Sequence, residues 1–248
     1  MKISIITVVL NGEKTIGRAI ESVFSQKNID LEYILIDGGS VDKTLEIVAS
    51  YKDQITHIIS EKDAGIYDAM NKGVRLASGH IIGILNADDI YAHEDVLSSV
   101  QSHFLSRDLD ALYGDLEYFD TDQPLRTFRT YRSRGFSAGK LSRGLMPAHP
   151  TLFLHRNVYK EYGLFNTTYK IAGDFEFIAR IFKKHTLKTH YVPKIMVRMQ
   201  SGGISTAGLK STQLLLRENL RACRENGIYT NYLFLLSRYP RKLLEYFI

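Results

Sequence analysis

Cysteine is nearly absent: the 248 residues hold one, Cys223. A lone cysteine excludes an internal disulfide and any cysteine-based metal cluster, and it is compatible with a reducing compartment. No run of 18 apolar residues occurs, so no transmembrane helix is expected. The first ten residues carry one basic residue and no small-residue cleavage site follows, so no signal peptide is expected and a cytoplasmic location is. The first strand is not followed by Gly-x-Gly-x-x-Gly, which sets aside the dinucleotide fingerprint. The lack of Gly-x-x-x-x-Gly-Lys-Ser/Thr disfavours an ATPase. Zinc-finger and helix-turn-helix signatures are missing too. Phe128, Tyr131 and Phe136 sit in a basic stretch and could stack on bases, but the acidic residues elsewhere would repel a nucleic-acid backbone, so no nucleic-acid partner is expected.

What remains is a composition of 44% hydrophobic and 24% charged residues, ordinary for a soluble globular chain and against disorder. The length suits one substantial core, or one domain with a C-terminal appendage. The formal charge of +5 is unevenly spread. Residues 1–100 carry 9 Lys/Arg against 15 Asp/Glu, a net of −6, whereas residues 123–160 carry 8 Lys/Arg and no acid, a net of +8. An acidic nucleus beside a basic segment fits a metal site facing a phosphate-bearing partner; a solvated loop with a chance bias is the plainer reading.

Periodicity organises the first half. Ile3–Leu10 is a β-branched apolar run closed by Asn11-Gly12 and reads as a buried strand. Ile16, Ala19, Ile20, Val23 and Phe24 share one helical face. Strands follow at Tyr33–Ile36, Ile55–Ile59 and Ile81–Leu85. Between them stand helices from Asp42, as cap, to about Tyr51, and from Gly65 to Ala77, the latter interrupted by Gly73. Four strands alternating with three helices predict an α/β fold with a mostly parallel sheet. The crevice beyond the carboxyl ends of such strands is the usual binding place, which gathers Asp37, Asp63, Asp88 and Asp89 on one rim. The second half is less regular. It reads as helices at His93–Phe104, Asn157–Tyr162 and Asp174–Lys184, and strands at Ala111–Tyr118 and Thr151–Leu154. Arg126–Arg143, basic and weakly periodic, reads as a loop or a small excursion. Helices are expected again at Leu209–Asn226 and Tyr232–Phe247, the last broken or kinked by Pro240. The simplest partition is a catalytic domain over 1–205 and a helical extension over 206–248.

The residue types at the rim have a chemistry. Carboxylates in Asn86-Ala87-Asp88-Asp89, at a strand end, suit a hard divalent cation that keeps substrate phosphate as a further ligand; an Asp-rich turn capping the next helix is the alternative. The glycines of Asp37-Gly38-Gly39-Ser40 permit close backbone approach, and Asp37 could accept hydrogen bonds from a base or ribose. Asp63 could hold a sugar or ribose hydroxyl. Lys72 could meet phosphate or be a solvated helix charge.

In order and spacing these motifs resemble the family 2 glycosyltransferases of the GT-A fold. The resemblance runs from Ser4-Ile5-Ile6-Thr7-Val8-Val9-Leu10-Asn11 through Ile36–Thr44, Glu61–Gly73 and Leu85–Asp89. It ends at Ala148-His149-Pro150-Thr151-Leu152-Phe153 and Ala172-Gly173-Asp174-Phe175-Glu176-Phe177, covering roughly residues 3–180. It implies inverting transfer of a sugar, hexosyl or N-acetylhexosaminyl, from a nucleoside-diphosphate donor, UDP being preferred over GDP or dTDP, to an acceptor, with Mg or Mn as cofactor, and it implies that residues 1–118 mainly serve the nucleotide sugar and 119–205 mainly the acceptor. It implies that Asp37 contacts the nucleotide base with Thr7 beneath it, that Val9 and Asn11 belong to the same donor site, and that Asp63 binds the donor. The acidic triplet corresponds to Asn86-Ala87-Asp88 with Asp89 beside it; Asn86 stands where many members have Asp, which leaves Asp88 the best metal ligand. Asp174 matches the general base, and Glu176, two residues on, should point elsewhere. His149 could contact the diphosphate or orient a loop. The Glu61–Gly73 and Ala148-His149 segments look most like bacterial enzymes of colanic acid, O-antigen, lipopolysaccharide and capsule synthesis, which use polyprenyl-diphosphate-linked acceptors.

Two further expectations concern partners. Arg126, Arg129, Arg132, Arg134, Lys140 and Arg143, with the aromatic and basic stretch from Tyr232 to Phe247, suit peripheral contact with the inner membrane. A nucleotidyltransferase, or a donor-binding protein without turnover, would share the acidic rim.

Overall fold

The structure is a computed structural model describing residues 1–120, 127–184, 186–202 and 208–239. Strand β1 (Ile3–Val9) is buried along its whole length, as a β-branched run between two helical layers must be. Helix α1 (Ile16–Phe24) buries Ile16, Ala19, Ile20 and Val23, the i, i+3, i+4, i+7 stripe. The alternation continues through β2 (Leu31–Asp37), α2 (Thr44–Ala49), β3 (His57–Ser60), α3 (Ile66–Leu76) and β4 (Ile81–Ile84). β2 and β4 both pair parallel with β1, and β3 pairs parallel with β2. Their carboxyl ends therefore point one way, and the loops after them share one end of the sheet.

The rest of the chain comprises β5 (Ile90–Tyr91), α4 (Val96–Ser106), β6 (Ala111–Phe119), β7 (Thr127–Tyr131), β8 (Phe153–His155), α5 (Arg156–Tyr162), α6 (Gly173–Phe182), β9 (Thr189–Gln200), α7 (Leu209–Glu225) and α8 (Tyr232–Leu236). The strand order is β3-β2-β1-β4-β8-β6-β9-β5, with β7 on β6. β8 is antiparallel to both β4 and β6, so β6 and its parallel neighbour β9 run with the first four; β5, β7 and β8 are reversed. Apolar residues of α3, α5 and α6 cover one face, and those of α1 and α4 with Val48 of α2 cover the other. The mostly parallel α/β sheet matches the expectation from the sequence.

Several local expectations need correction. Gly73 does not interrupt α3, which runs through it. A Cβ there would lie 2.3 Å from Ile6 Cγ2, so the glycine lets the helix lie close on β1. Of the two readings of the basic segment, the small excursion is the one observed: it holds β7 and a 3-10 turn at Ala138–Arg143, while Arg126 lies outside the described residues. The twelve-residue β9 had no sequence signal. Asp42 supports α2 from just outside it, accepting the Thr44 N–H at 3.0 Å. Of the last helix, Tyr232–Leu236 is described; Pro240, Arg241, Lys242, Tyr246 and Phe247 lie outside the described residues.

Candidate active site

The loops after β1, β2 and β3 are stitched together around Asp37. This residue ends β2 with its side chain fully buried. Its carboxylate accepts the backbone N–H of Gly39 at 3.1 Å and of Ser40 at 3.1 Å, the Ser40 hydroxyl at 2.5 Å and the Ser60 hydroxyl at 2.7 Å. Asn11, at φ 53°, joins the first loop to the second: its N–H donates to Ser40 Oγ at 2.7 Å and its Oδ1 accepts the Val41 N–H at 3.0 Å. The Val9 carbonyl accepts the Gly38 N–H at 2.9 Å. Thr7, buried in β1, accepts the Tyr33 hydroxyl at 3.0 Å. A Cβ on Gly38 would lie 2.5 Å from Asp63 Oδ2, so only glycine lets the Asp63 carboxylate rest over this turn. Asp63 also accepts the Gly65 N–H at 2.9 Å. Lys72 is held by Glu61 at 2.9 Å, with Asp68 at 3.8 Å; the Glu61 hydrogen bond, chiefly, keeps its ammonium protonated above the usual lysine range. Any role toward phosphate requires it to leave Glu61.

At the end of β4, Asn86 and Asp88 are part-exposed, whereas Ala87 and Asp89 are buried. Burial pushes the Asp88 carboxyl up; burial and then the Asp88 charge push Asp89 well up. Asn86 Nδ2 donates to Asp89 Oδ2 at 3.3 Å, and Asn86 Oδ1 and Asp89 Oδ1 are buried with no hydrogen-bond partner among the described residues. Two carboxylates and an amide oxygen, short of positive charge, are a hard-cation donor set. Among the described residues, no three His, Cys, Asp or Glu side chains converge as a complete metal cage.

Asp174 occupies the first turn of α6. The Phe175 N–H at 2.8 Å and the Tyr67 hydroxyl at 3.4 Å both fall on its Oδ1. Burial raises its carboxyl above the ordinary range, and the nearby His149 imidazole is the largest opposing influence. His149 is buried, and burial lowers its imidazole, leaving it neutral near pH 7. It lies edge-on to Phe165 at 5.9 Å, and Phe165 stacks on Tyr67 at 6.0 Å. His149 precedes β8, which is antiparallel to β4, so it stands at the sheet end where Asp88 follows β4. The sequence-predicted residues thus share one end: Asp37 with Asp63, Asp88 with Asp89, and His149 with Asp174.

The sequence profile described as "Glycosyl transferase family 2" matches residues 4–182. The chain belongs to that family. Among relatives of this glycosyltransferase is a Mycobacterium bovis protein named PGL/p-HBAD biosynthesis glycosyltransferase, 30% identical over 82% of this chain and 78% of its own length. Pasteurella multocida hyaluronan synthase is 26% identical over 93% of this chain and 24% of its own. Its architecture is that of the GT-A glycosyltransferases. S. aureus TarS 1–349, solved with UDP-GlcNAc, superposes with a TM-score of 0.69 at 17% identity, over 89% of this chain and 67% of that TarS fragment. The Pyrobaculum calidifontis mannosyltransferase PcManGT, solved with GDP-Man and Mn2+, gives 0.62 at 16%, over 88% and 64%. The chain spans about two thirds of these two solved structures and 40% of a longer TarS structure.

Sequence reasoning assigned no task to Tyr67 or Asn71 in this transferase, although both lie in the quoted Glu61–Gly73 block. They are one helical turn apart on the buried side of α3. The Tyr67 hydroxyl donates to the Ile171 carbonyl at 2.7 Å, and Asn71 exchanges two 2.9 Å hydrogen bonds with the Phe165 backbone. Together they dock α3 against the segment that delivers Asp174. The available signal was a buried Asn on an otherwise apolar face, which demands a partner. Glu176 points elsewhere, as expected: it is buried in an ion pair with Arg180 at 3.0 Å.

Proposed function

We propose that the chain transfers a hexosyl or N-acetylhexosaminyl unit from a UDP-sugar, with inversion, to a saccharide carried on a polyprenyl diphosphate, in bacterial surface-polysaccharide synthesis. The observation that carries the reading is Asp174: among the described residues the Phe175 N–H donates to Oδ1 and the Tyr67 hydroxyl oxygen also lies on the Oδ1 side, at 3.4 Å, which leaves Oδ2 to accept a proton. The acceptor hydroxyl attacks the anomeric carbon from the side opposite the diphosphate. Its proton passes to Asp174, and the carbon–oxygen bond to the diphosphate breaks with its electron pair on the leaving group. One displacement inverts the centre. Neutral His149 donates a hydrogen bond toward the diphosphate. Asp63 holds the nucleoside and ribose side, while Asp37, buried and filled by its four internal donors, fixes from beneath the loops that Val9 and Asn11 tie together. Asp88, with Asp89 and the Asn86 side chain behind it and Ala87 packed beneath, would hold Mg2+ or Mn2+, with donor phosphate completing the coordination. A bound cation supplies Lewis-acid stabilisation of the departing diphosphate. The UDP preference draws on the TarS complex.

The test is a mass-spectrometric screen of nucleotide sugars against synthetic lipid-diphosphate saccharides. The expected products are a glycan one sugar heavier, of inverted configuration by NMR, and free nucleoside diphosphate. Release of pyrophosphate with no glycan product would replace the reading with nucleotidyl transfer.

The same reading places the enzyme on the cytoplasmic face of the inner membrane. Among the described residues, no helix is long and apolar enough to cross a bilayer. Leu235 anchors α8 to the core while Leu233 is 77% exposed, with Tyr229, Tyr232, Phe234 and Leu236 exposed around it. Gly144, next to the exposed Arg143, packs on the Leu235 and Arg238 side chains, so α8 adjoins the basic segment. Exposed aromatics beside arginine suit an anionic interface. Sedimentation with phosphatidylglycerol vesicles should capture the protein at low salt, and the pair Leu233→Ser/Leu236→Ser should reduce capture severalfold. Absence of capture at any salt would end the membrane reading and leave the transfer chemistry intact.

A further inference from the structure

Helix α7 lies beyond the family-matched segment, yet it reaches the residues that deliver Asp174. Glu218, on α7, is 7% exposed. Its Oε1 accepts the Lys170 N–H at 2.9 Å, and its Oε2 accepts the Ile171 N–H at 2.9 Å and the Ala172 N–H at 2.8 Å. These are the last three amides before Gly173 and Asp174. A buried carboxylate is costly unless its lone pairs are met, and three backbone donors meet them through charge-assisted bonds. The Ile171 residue is gripped from both directions, its N–H by Glu218 and its carbonyl by the Tyr67 hydroxyl at 2.7 Å. The same hydroxyl lies 3.4 Å from Asp174 Oδ1. Next in line, Gly173 admits nothing larger: a Cβ would sit 2.7 Å from the Tyr67 ring. One helix turn into α6, Asn226 Nδ2 donates to Glu176 at 3.2 Å, a second tether from the region after α7. A helix serving only to cover apolar surface has no need of a carboxylate at this place.

We propose that Glu218 is a positioning residue: by holding the three amides of Lys170–Ala172 it aims Asp174, and the C-terminal extension is thereby part of the catalytic apparatus. The proposal rests on Asp174 being the base. Misplacing a reacting group by about 1 Å costs on the order of 10²-fold, so loosening this segment should reduce turnover far more than donor affinity.

The test uses the full chain with Glu218→Gln, which keeps one acceptor oxygen, and Glu218→Ala, which keeps none. Gln is expected to lower kcat about 10-fold and Ala about 10²-fold, with the affinity for UDP in the presence of Mn2+, by calorimetry, within about twofold of wild type. Hydrogen exchange of the peptide covering residues 168–176 should quicken in both, while the amides of β1 and β2 stay protected. In the Asp174→Asn background, Glu218→Gln should cost nothing further, because the two act as a unit. An equal loss in that background would show that Glu218 acts elsewhere, and unchanged exchange at 168–176 would overturn the proposal whatever the turnover. Full turnover by Asp174→Asn alone would instead remove the base assignment. If Glu218→Ala does not fold, the graded Gln variant and its exchange pattern still decide the matter.

Discussion

Asp174→Asn is expected to lower kcat by about 10²–10⁴-fold while leaving the affinity for UDP with Mn2+ nearly unchanged. Asparagine has the same shape and its Oδ1 still accepts the Phe175 N–H. What it loses is the basic oxygen, so the effect should fall on the chemical step alone. The pH profile gives an independent reading. A helix N-terminus favours a carboxylate, but burial acts the other way and prevails, so the Asp174 carboxyl sits above the ordinary range. Only the ionised form accepts a proton. The rate should therefore rise with pH through an acid limb displaced upward from that of a free carboxylate, and the limb should be missing from the residual activity of the variant. Wild-type turnover in Asp174→Asn, or an identical acid limb, would exclude Asp174 as the base.

The half of the enzyme that carries Asp37, Asp63, Asp88 and Asp89 was legible because its order is local. β1 to β4 alternate with helices whose apolar faces repeat at helical spacing, so Asp37, Asp63, Asp88 and Asp89 fall at one rim by simple counting. The half that brings Asp174 into place depends on contacts across long stretches of chain. Asn71 meets Phe165, Tyr67 meets Ile171, and Glu218 meets Ala172; none of these pairs has a spacing that sequence periodicity can reveal. β9 was hidden for a different reason. Pro193 lies inside it, and proline argues against an interior strand. Its pairing with β6 accommodates this through register shifts around Asp115. His149 shows the boundary between the two kinds of information: the motif marked it, but only the fold shows it buried beside Phe165 and coupled to Asp174.

Asp88→Ala is expected to abolish the Mn2+ dependence of UDP binding. In the wild type, calorimetric titration with UDP should show affinity rising at least tenfold when Mn2+ is added; in the variant the two titrations should coincide. The argument begins with charge. Asp88 and Asp89 sit side by side, and both carboxyls are displaced upward, chiefly by burial and, at Asp89, also by the charge of its neighbour. Groups whose folded values are raised stabilise the fold fully below the unfolded value and lose that contribution as pH rises through the folded one. The metal-free enzyme should accordingly lose stability as pH climbs above the ordinary carboxylate range toward neutrality. A divalent cation bound to the folded state alone restores it by mass action. Mn2+ should then raise the Tm of the wild type at pH 7.5, and do so less at pH 5, where protons compete for the same oxygens. Asp88→Ala removes the more open of the two carboxylates and the repulsion together, so its metal-free Tm should hold at or above wild type at neutral pH while its response to Mn2+ disappears. Asp89→Asn distinguishes the neighbours: with its oxygens buried behind Asp88, it should weaken the Mn2+ response without eliminating it. If Mn2+ and Mg2+ leave both the UDP titration and the Tm of the wild type untouched, the carboxylates at the end of β4 do not hold a cation.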